Sequence, residues 1–169
     1  MDADELRALQ APIKERYRAE PEDAVITLRA AGTLDSEGIA CRVETGRALV
    51  HAGLHPSTGG TGELACSGDM LLEALVACAG VTLRAVATAL EIPVAGGTVS
   101  AEGELDVRGT LGVDREAPVG FRAIRLRFAV ETDAGAEQLA SLLKLTERYC
   151  VVLQTIRGGV PVTATLDGR

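Results

Sequence analysis

Four cysteines, Cys41, Cys66, Cys78 and Cys150, are the residues with most chemistry to offer, and they lie 25, 12 and 72 positions apart. A structural zinc site needs closely spaced ligands, and no C-x-x-C pair occurs. His51 and His55 are four apart, but the segment around them reads as strand and turn, where the helical H-x-x-x-H geometry is not available. No metal is expected. The chain opens Met1-Asp2-Ala3-Asp4-Glu5, acidic where a secretory leader is basic and then apolar, so the expected compartment is the cytoplasm and the thiols are expected to be reduced. What remains is buried, inert thiols or redox chemistry.

Cys78 lies in LLEALVACAGVTLRAVATAL, on one helical face with Leu71, Ala74, Thr82 and Ala85, and Cys150 lies on a stripe with Leu143, Thr146 and Leu153. Spacing alone describes two buried cysteines, and equally two helices whose facing stripes bring the sulfurs together.

The elements that must position them follow from periodicity. Met70 to Leu90 is almost continuously apolar, but it contains Glu73 and Arg84, each costing about 2.5–3.5 kcal/mol in a bilayer. A buried central helix is expected instead, starting near Ser67 and stopped by Pro93. Glu73 and Arg84 share a face of that helix separate from Cys78 and suit buried polar or dimer contacts. Three strands are expected at 24–34, 39–44 and 47–54. Two half-buried strands follow from the alternation of Val99 to Val107 and of Ile124 to Val130. A second long helix is expected over 134–157, ended by Gly158-Gly159, and Val160, Val162, Ala164 and Leu166 suggest a last strand. Ahead of all this, Leu6, Leu9, Ile13 and Tyr17 mark an amphipathic helix containing Pro12. The expected organisation is a helical arm over 1–22 and one domain over 23–169, of α+β class. The Gly-rich STGGTGE at Ser57–Glu63 lacks the Lys-Ser/Thr ending of a P-loop and reads as a flexible connection.

Composition excludes some partners. Lys and Arg number 17 against 24 Asp and Glu, a net charge of −7, so a phosphate backbone meets repulsion and nucleic acid is not an expected partner. Nor is a membrane. Two Tyr, two Phe and no Trp leave little from which to build base- or sugar-stacking platforms.

The segment GGTGELACSGDMLLEALVACAG, followed at a distance by LKLTERYCVV, resembles the OsmC/Ohr family of osmotically inducible and organic hydroperoxide resistance proteins. The resemblance runs from about residue 24 onward. It implies an α+β fold with one cysteine in a central helix and another in a later helix, forming an intertwined homodimer. It further implies a thiol peroxidase that needs no cofactor. By motif position Cys78 would be the peroxidatic cysteine and Cys150 the resolving one, with organic hydroperoxides as substrates and a dithiol of lipoyl type as reductant. In that family an Arg held by a Glu at the start of the central helix activates the thiol. Here Gly68 stands where hydroperoxide-resistance members carry Glu, and Asp69 is the nearest acid. Arg42, Arg47 and, more weakly, His55 are the candidate cations. Val151 follows Cys150 where many relatives have Pro. Cys41 and Cys66 match no family role, although Cys66 suits a bystander or an alternative resolving thiol. The departures motivate an alternative: a non-catalytic dimer of this fold that binds a small apolar ligand.

Overall fold

Residues 2–20, 31–34, 40–44, 49–112 and 114–168 are described by a computed structural model. Helix α1 (Ala3–Ala19) runs unbroken through Pro12. Its Arg7 reaches Glu91, beyond the end of the central helix, at 2.8 Å. Strands β1 (Ala31–Leu34), β2 (Ala40–Glu44) and β3 (Leu49–Gly53) form an antiparallel meander, to which β4 (Ala65–Cys66) adds in parallel. The expected strands are thus present over 31–34, 40–44 and 49–53; residues 24–30, 39, 47 and 48 of those expectations lie outside the described residues.

The central helix α2 (Ser67–Ala89) begins and ends close to the expected limits. Its buried face is Leu75, Ala79, Leu83, Val86 and Ala87. Cys78 sits at the margin of that face, half-buried, while Leu71, Ala74 and Ala85, read as its buried companions, are exposed. Glu73 and Arg84 are exposed too, and the Arg84 guanidinium donates to the Val94 carbonyl. The buried polar contacts expected of them are not formed.

Strands β5 (Gly96–Leu105) and β6 (Phe121–Glu131) pair antiparallel in a separate two-stranded sheet, linked through a single helical turn, α3 (Val107–Thr110). Gly97 has φ +144° and a Cβ there would stand 2.3 Å from the Ala129 carbonyl oxygen, so only glycine fits this pairing. Alternation along both strands turns Val99, Ile124, Leu126 and Phe128 toward the helices.

Two clusters make the core. Leu83, Val86, Ala87, Ile92 and Leu142 form one, with Phe128 and Val130 against it. The other joins Leu75 and Ala79 of α2 to Cys150 and Leu153.

The expected helix over 134–157 is two. Helix α4 (Ala136–Tyr149) closes at Cys150, whose backbone turns extended at φ −72°, ψ 106°, and α5 (Val151–Gly158) starts from it. The Cys150 N–H still donates to the Thr146 carbonyl while its carbonyl accepts from Gln154, so this one residue ends one helix and opens the next. Across the corner, the Gln154 side chain donates to the Glu147 carbonyl at 2.7 Å and Arg157 pairs with Glu147 at 3.1 Å. The last strand is not formed either. Residues 159–168 pair with no strand among the described residues, and Val162 and Leu166 are 84% and 97% exposed. A strand needs a partner edge to satisfy its backbone groups, and among the described residues none pairs with this segment.

Candidate active site

Because α4 stops at Cys150, the first N–H groups of α5, which have no acceptor within the helix, are free to meet another group. That group is Cys78. It packs against the buried cluster of Leu75, Ala79, Cys150 and Leu153, where the Val152 and Val151 N–H groups, the Cys150 thiol and the Thr82 hydroxyl each favour its thiolate. Burial pushes the Cys78 thiol up, but these donors together outweigh it and leave the thiol below its ordinary value. A helix N-terminus favours a thiolate in the same sense. None of these contributors is a cation.

Cys150 is fully buried. Burial pushes its thiol above the ordinary value and the neighbouring Cys78 adds to this, against donors from the Leu153 and Val152 backbone. Both are free thiols within one packed cluster, one inclined to ionise and the other to keep its proton.

Beside them, a cavity of about 800 Å³ opens between β6, α2, α4 and α5. Leu71, Leu75, Phe121, Phe128, Leu153 and Ile156 line it, with Arg122, Arg125 and the Glu147–Arg157 pair adding charge. Leu75 and Leu153 belong also to the cluster around Cys150, so the cavity adjoins the thiol pair. Both phenylalanines of the chain are in it.

Of the other candidates, Asp69 is exposed in the first turn of α2, nine residues before Cys78 and so about 13 Å away along the axis. It is not brought to the thiol. Arg42 stands opposite His51 in the β2–β3 register, and Arg47 lies outside the described residues. His55 caps the turn Pro56–Thr58, its Nδ1 accepting from the Ser57 N–H at 3.1 Å, a local structural duty. Cys66 is the half-buried cap of α2, twelve residues from Cys78; Cys41 pairs with Ala52 through its backbone. Among the described residues no three His, Cys, Asp or Glu side chains converge as a metal-holding set.

Sequence reading did not single out the Val151 and Val152 N–H groups, or Thr82 as more than a face companion. The available signal was the Pro that follows the second cysteine in many relatives: Pro favours the first position of a helix, and Val151 occupies that position in α5.

The sequence profile of the OsmC-like protein family matches residues 60–165, and the chain belongs to that family. Among solved structures it is similar to an OsmC-like protein from Mycoplasma pneumoniae, with TM-score 0.66 and 16% identity over 79% of this chain and 89% of that one. It is also similar to an organic hydroperoxide resistance protein from Elizabethkingia anophelis, with TM-score 0.64 and 16% identity over 80% and 91% of the two chains. A third, the organic hydroperoxide resistance protein OsmC from Legionella pneumophila, gives TM-score 0.62 and 17% identity over 79% and 91%. These likenesses establish the α+β, OsmC-like fold. No curated protein matches the sequence.

Proposed function

We propose that the protein is a cysteine-based peroxidase that reduces organic hydroperoxides to alcohols. One observation carries this reading: two thiols remote in sequence share one packed cluster at the start of α5, with Cys78 favoured toward the thiolate and Cys150 pushed toward the thiol. The Cys78 thiolate attacks the outer oxygen of RO–OH; the O–O bond breaks, RO⁻ takes up a proton and leaves as alcohol, and Cys78 becomes a sulfenic acid. The Cys150 sulfur attacks the sulfenic sulfur, hydroxide leaves as water with the Cys150 proton, and a disulfide forms. A dithiol, of lipoyl type by family resemblance, then attacks that disulfide and leaves as its own cyclic disulfide, restoring both thiols. The adjoining apolar cavity suits the hydrocarbon part of an organic hydroperoxide.

The same reading takes a homodimer as the working form, in the reducing cytoplasm. Its support is apolar surface left open in the single chain: Val81 on α2 is 73% exposed, and the unpaired segment 159–168 carries Val160, Val162 and Leu166 outward. Size-exclusion chromatography with light scattering tests that part.

Titration of the reduced protein with cumene hydroperoxide, followed by free-thiol counting, tests the chemistry. Two thiols are lost per chain if the protein is a peroxidase. The cavity also favours a second reading, a non-catalytic binder of a small apolar ligand, for which the thiols stay unchanged in excess peroxide.

A further inference from the structure

Thr82 stands one turn after Cys78 on α2, half-buried. Side chains at i and i+4 of a helix meet because each Cα–Cβ bond tilts toward the N-terminus, so Thr82 leans back over Cys78. Its Oγ1 donates to the Cys78 carbonyl oxygen at 2.8 Å, the back-bond open to threonine inside helices. The same hydroxyl also favours the Cys78 thiolate. One hydroxyl is thus bonded to the carbonyl of Cys78 and placed one turn from its side chain.

A hydroxyl has one proton and two lone pairs, and its proton rotates to suit its neighbours. We infer that Thr82 is a positioning residue for Cys78, its hydroxyl proton moving from the Cys78 carbonyl oxygen to the Cys78 sulfur when that sulfur loses its own proton. Beside a neutral thiol the hydroxyl keeps its bond to the carbonyl and can accept from S–H. Once the sulfur is an anion that donor is gone, and rotation about the Cβ–Oγ1 bond turns the hydroxyl proton toward the negative charge. The Val151 and Val152 N–H groups are fixed in the backbone, and the Cys150 thiol is consumed when the disulfide forms. Thr82 is the side-chain donor of this set that is not consumed in the reaction. Where no cation among the described residues contributes, each neutral donor to a thiolate carries more of its stabilisation.

The consequence for turnover rests on the peroxidase reading, whereas the titration of the thiol does not. The test is the rate at which iodoacetamide labels Cys78 in the reduced full chain between about pH 5 and pH 10, a range spanning the ordinary thiol value, read by peptide mass mapping. Thr82→Val, which keeps the shape and removes the hydroxyl, is expected to slow labelling at pH 7 by about 3- to 10-fold. It shifts the midpoint up by about half to one pH unit and leaves the high-pH plateau unchanged. Thr82→Ser restores the original curve. Thr82→Ala gives the same reading should the valine variant fold poorly. A hydroxyl-free variant whose curve superimposes on the original overturns the inference, as does one slowed equally at every pH and not rescued by serine. A shifted curve in a protein inert to cumene hydroperoxide leaves Thr82 in this role and removes the peroxidase reading instead.

Discussion

Cys78 of α2 packs against the buried cluster that holds Cys150, the residue at the corner between α4 and α5, the first thiol lowered and half-buried, the second raised and buried. An acidic group whose value is lowered is charged over more of the neutral range, and one whose value is raised is charged over less. At pH 7 iodoacetamide is therefore expected to label Cys78 at least about tenfold faster than Cys150, since reactivity follows thiolate fraction and access. Raising the pH narrows the ratio without removing it, because Cys150 stays enclosed. Time-resolved peptide mapping checks this, and equal rates at pH 7 contradict it.

Removing the second sulfur should stop the reaction half-way. In Cys150→Ser, one equivalent of hydroperoxide is expected to leave a sulfenic acid on Cys78, trapped by dimedone and detected by mass. Cys78→Ser should consume no peroxide at Cys150. A disulfide from Cys78 to Cys66 in the Cys150→Ser chain would show that Cys66 serves as the alternative resolving thiol.

Val151→Pro removes one donor to the Cys78 sulfur with little disturbance to the fold. Val151 opens α5, where Pro is tolerated, and the preceding Cys150 is already extended. Val151 is the smallest of the contributors to Cys78, so a two- to threefold slowing of Cys78 labelling at pH 7 is expected, roughly 0.5 kcal/mol, with circular dichroism unchanged. No change in the labelling curve would remove Val151 from the set.

The cavity depends on the Phe121 ring, which lies over Gly103: a Cβ there would stand 2.4 Å from the ring. Gly103→Val is expected to displace Phe121 and to cost about 1–3 kcal/mol by overpacking. Leu75→Ala, at a fully buried position, is expected to cost about 2–5 kcal/mol. Urea titrations measure both, and a neutral Leu75→Ala would contradict the packing described around Cys150.

Acid stability has a separate source. Arg108 beside Asp106 holds that carboxyl at about 2, with Arg122 adding to the effect. A carboxyl lowered on folding stabilises the protein fully above its ordinary value, about 4, and this contribution is lost as the pH falls toward 2. Asp106→Asn should be less stable than the original chain near neutrality, with the two melting curves converging toward pH 2. A constant gap through that range would contradict the assignment.

Much of the fold was legible because periodicity reports burial. The apolar run around Cys78 specified α2, and strict alternation specified β5 and β6. The corner at Cys150 was not legible, since Tyr149-Cys150-Val151 contains no glycine, proline or side-chain cap and the apolar stripe continues through it. Its cause is tertiary: Cys150 and Leu153 pack on Leu75 and Ala79. The last strand was misread for a related reason, as alternation identifies a segment suited to pairing and is silent about which chain supplies the edge. At the site, both cysteines were visible from residue type and family resemblance. The donors around Cys78 are mostly backbone N–H groups, which every residue but proline carries, so no residue type could announce them.

The most direct test is the covalent state of the reduced chain after one equivalent of cumene hydroperoxide. Loss of two thiols, with a mapped disulfide between Cys78 and Cys150, is the expected result. Four intact thiols, or oxidation that leaves Cys78 untouched, would contradict the proposed chemistry.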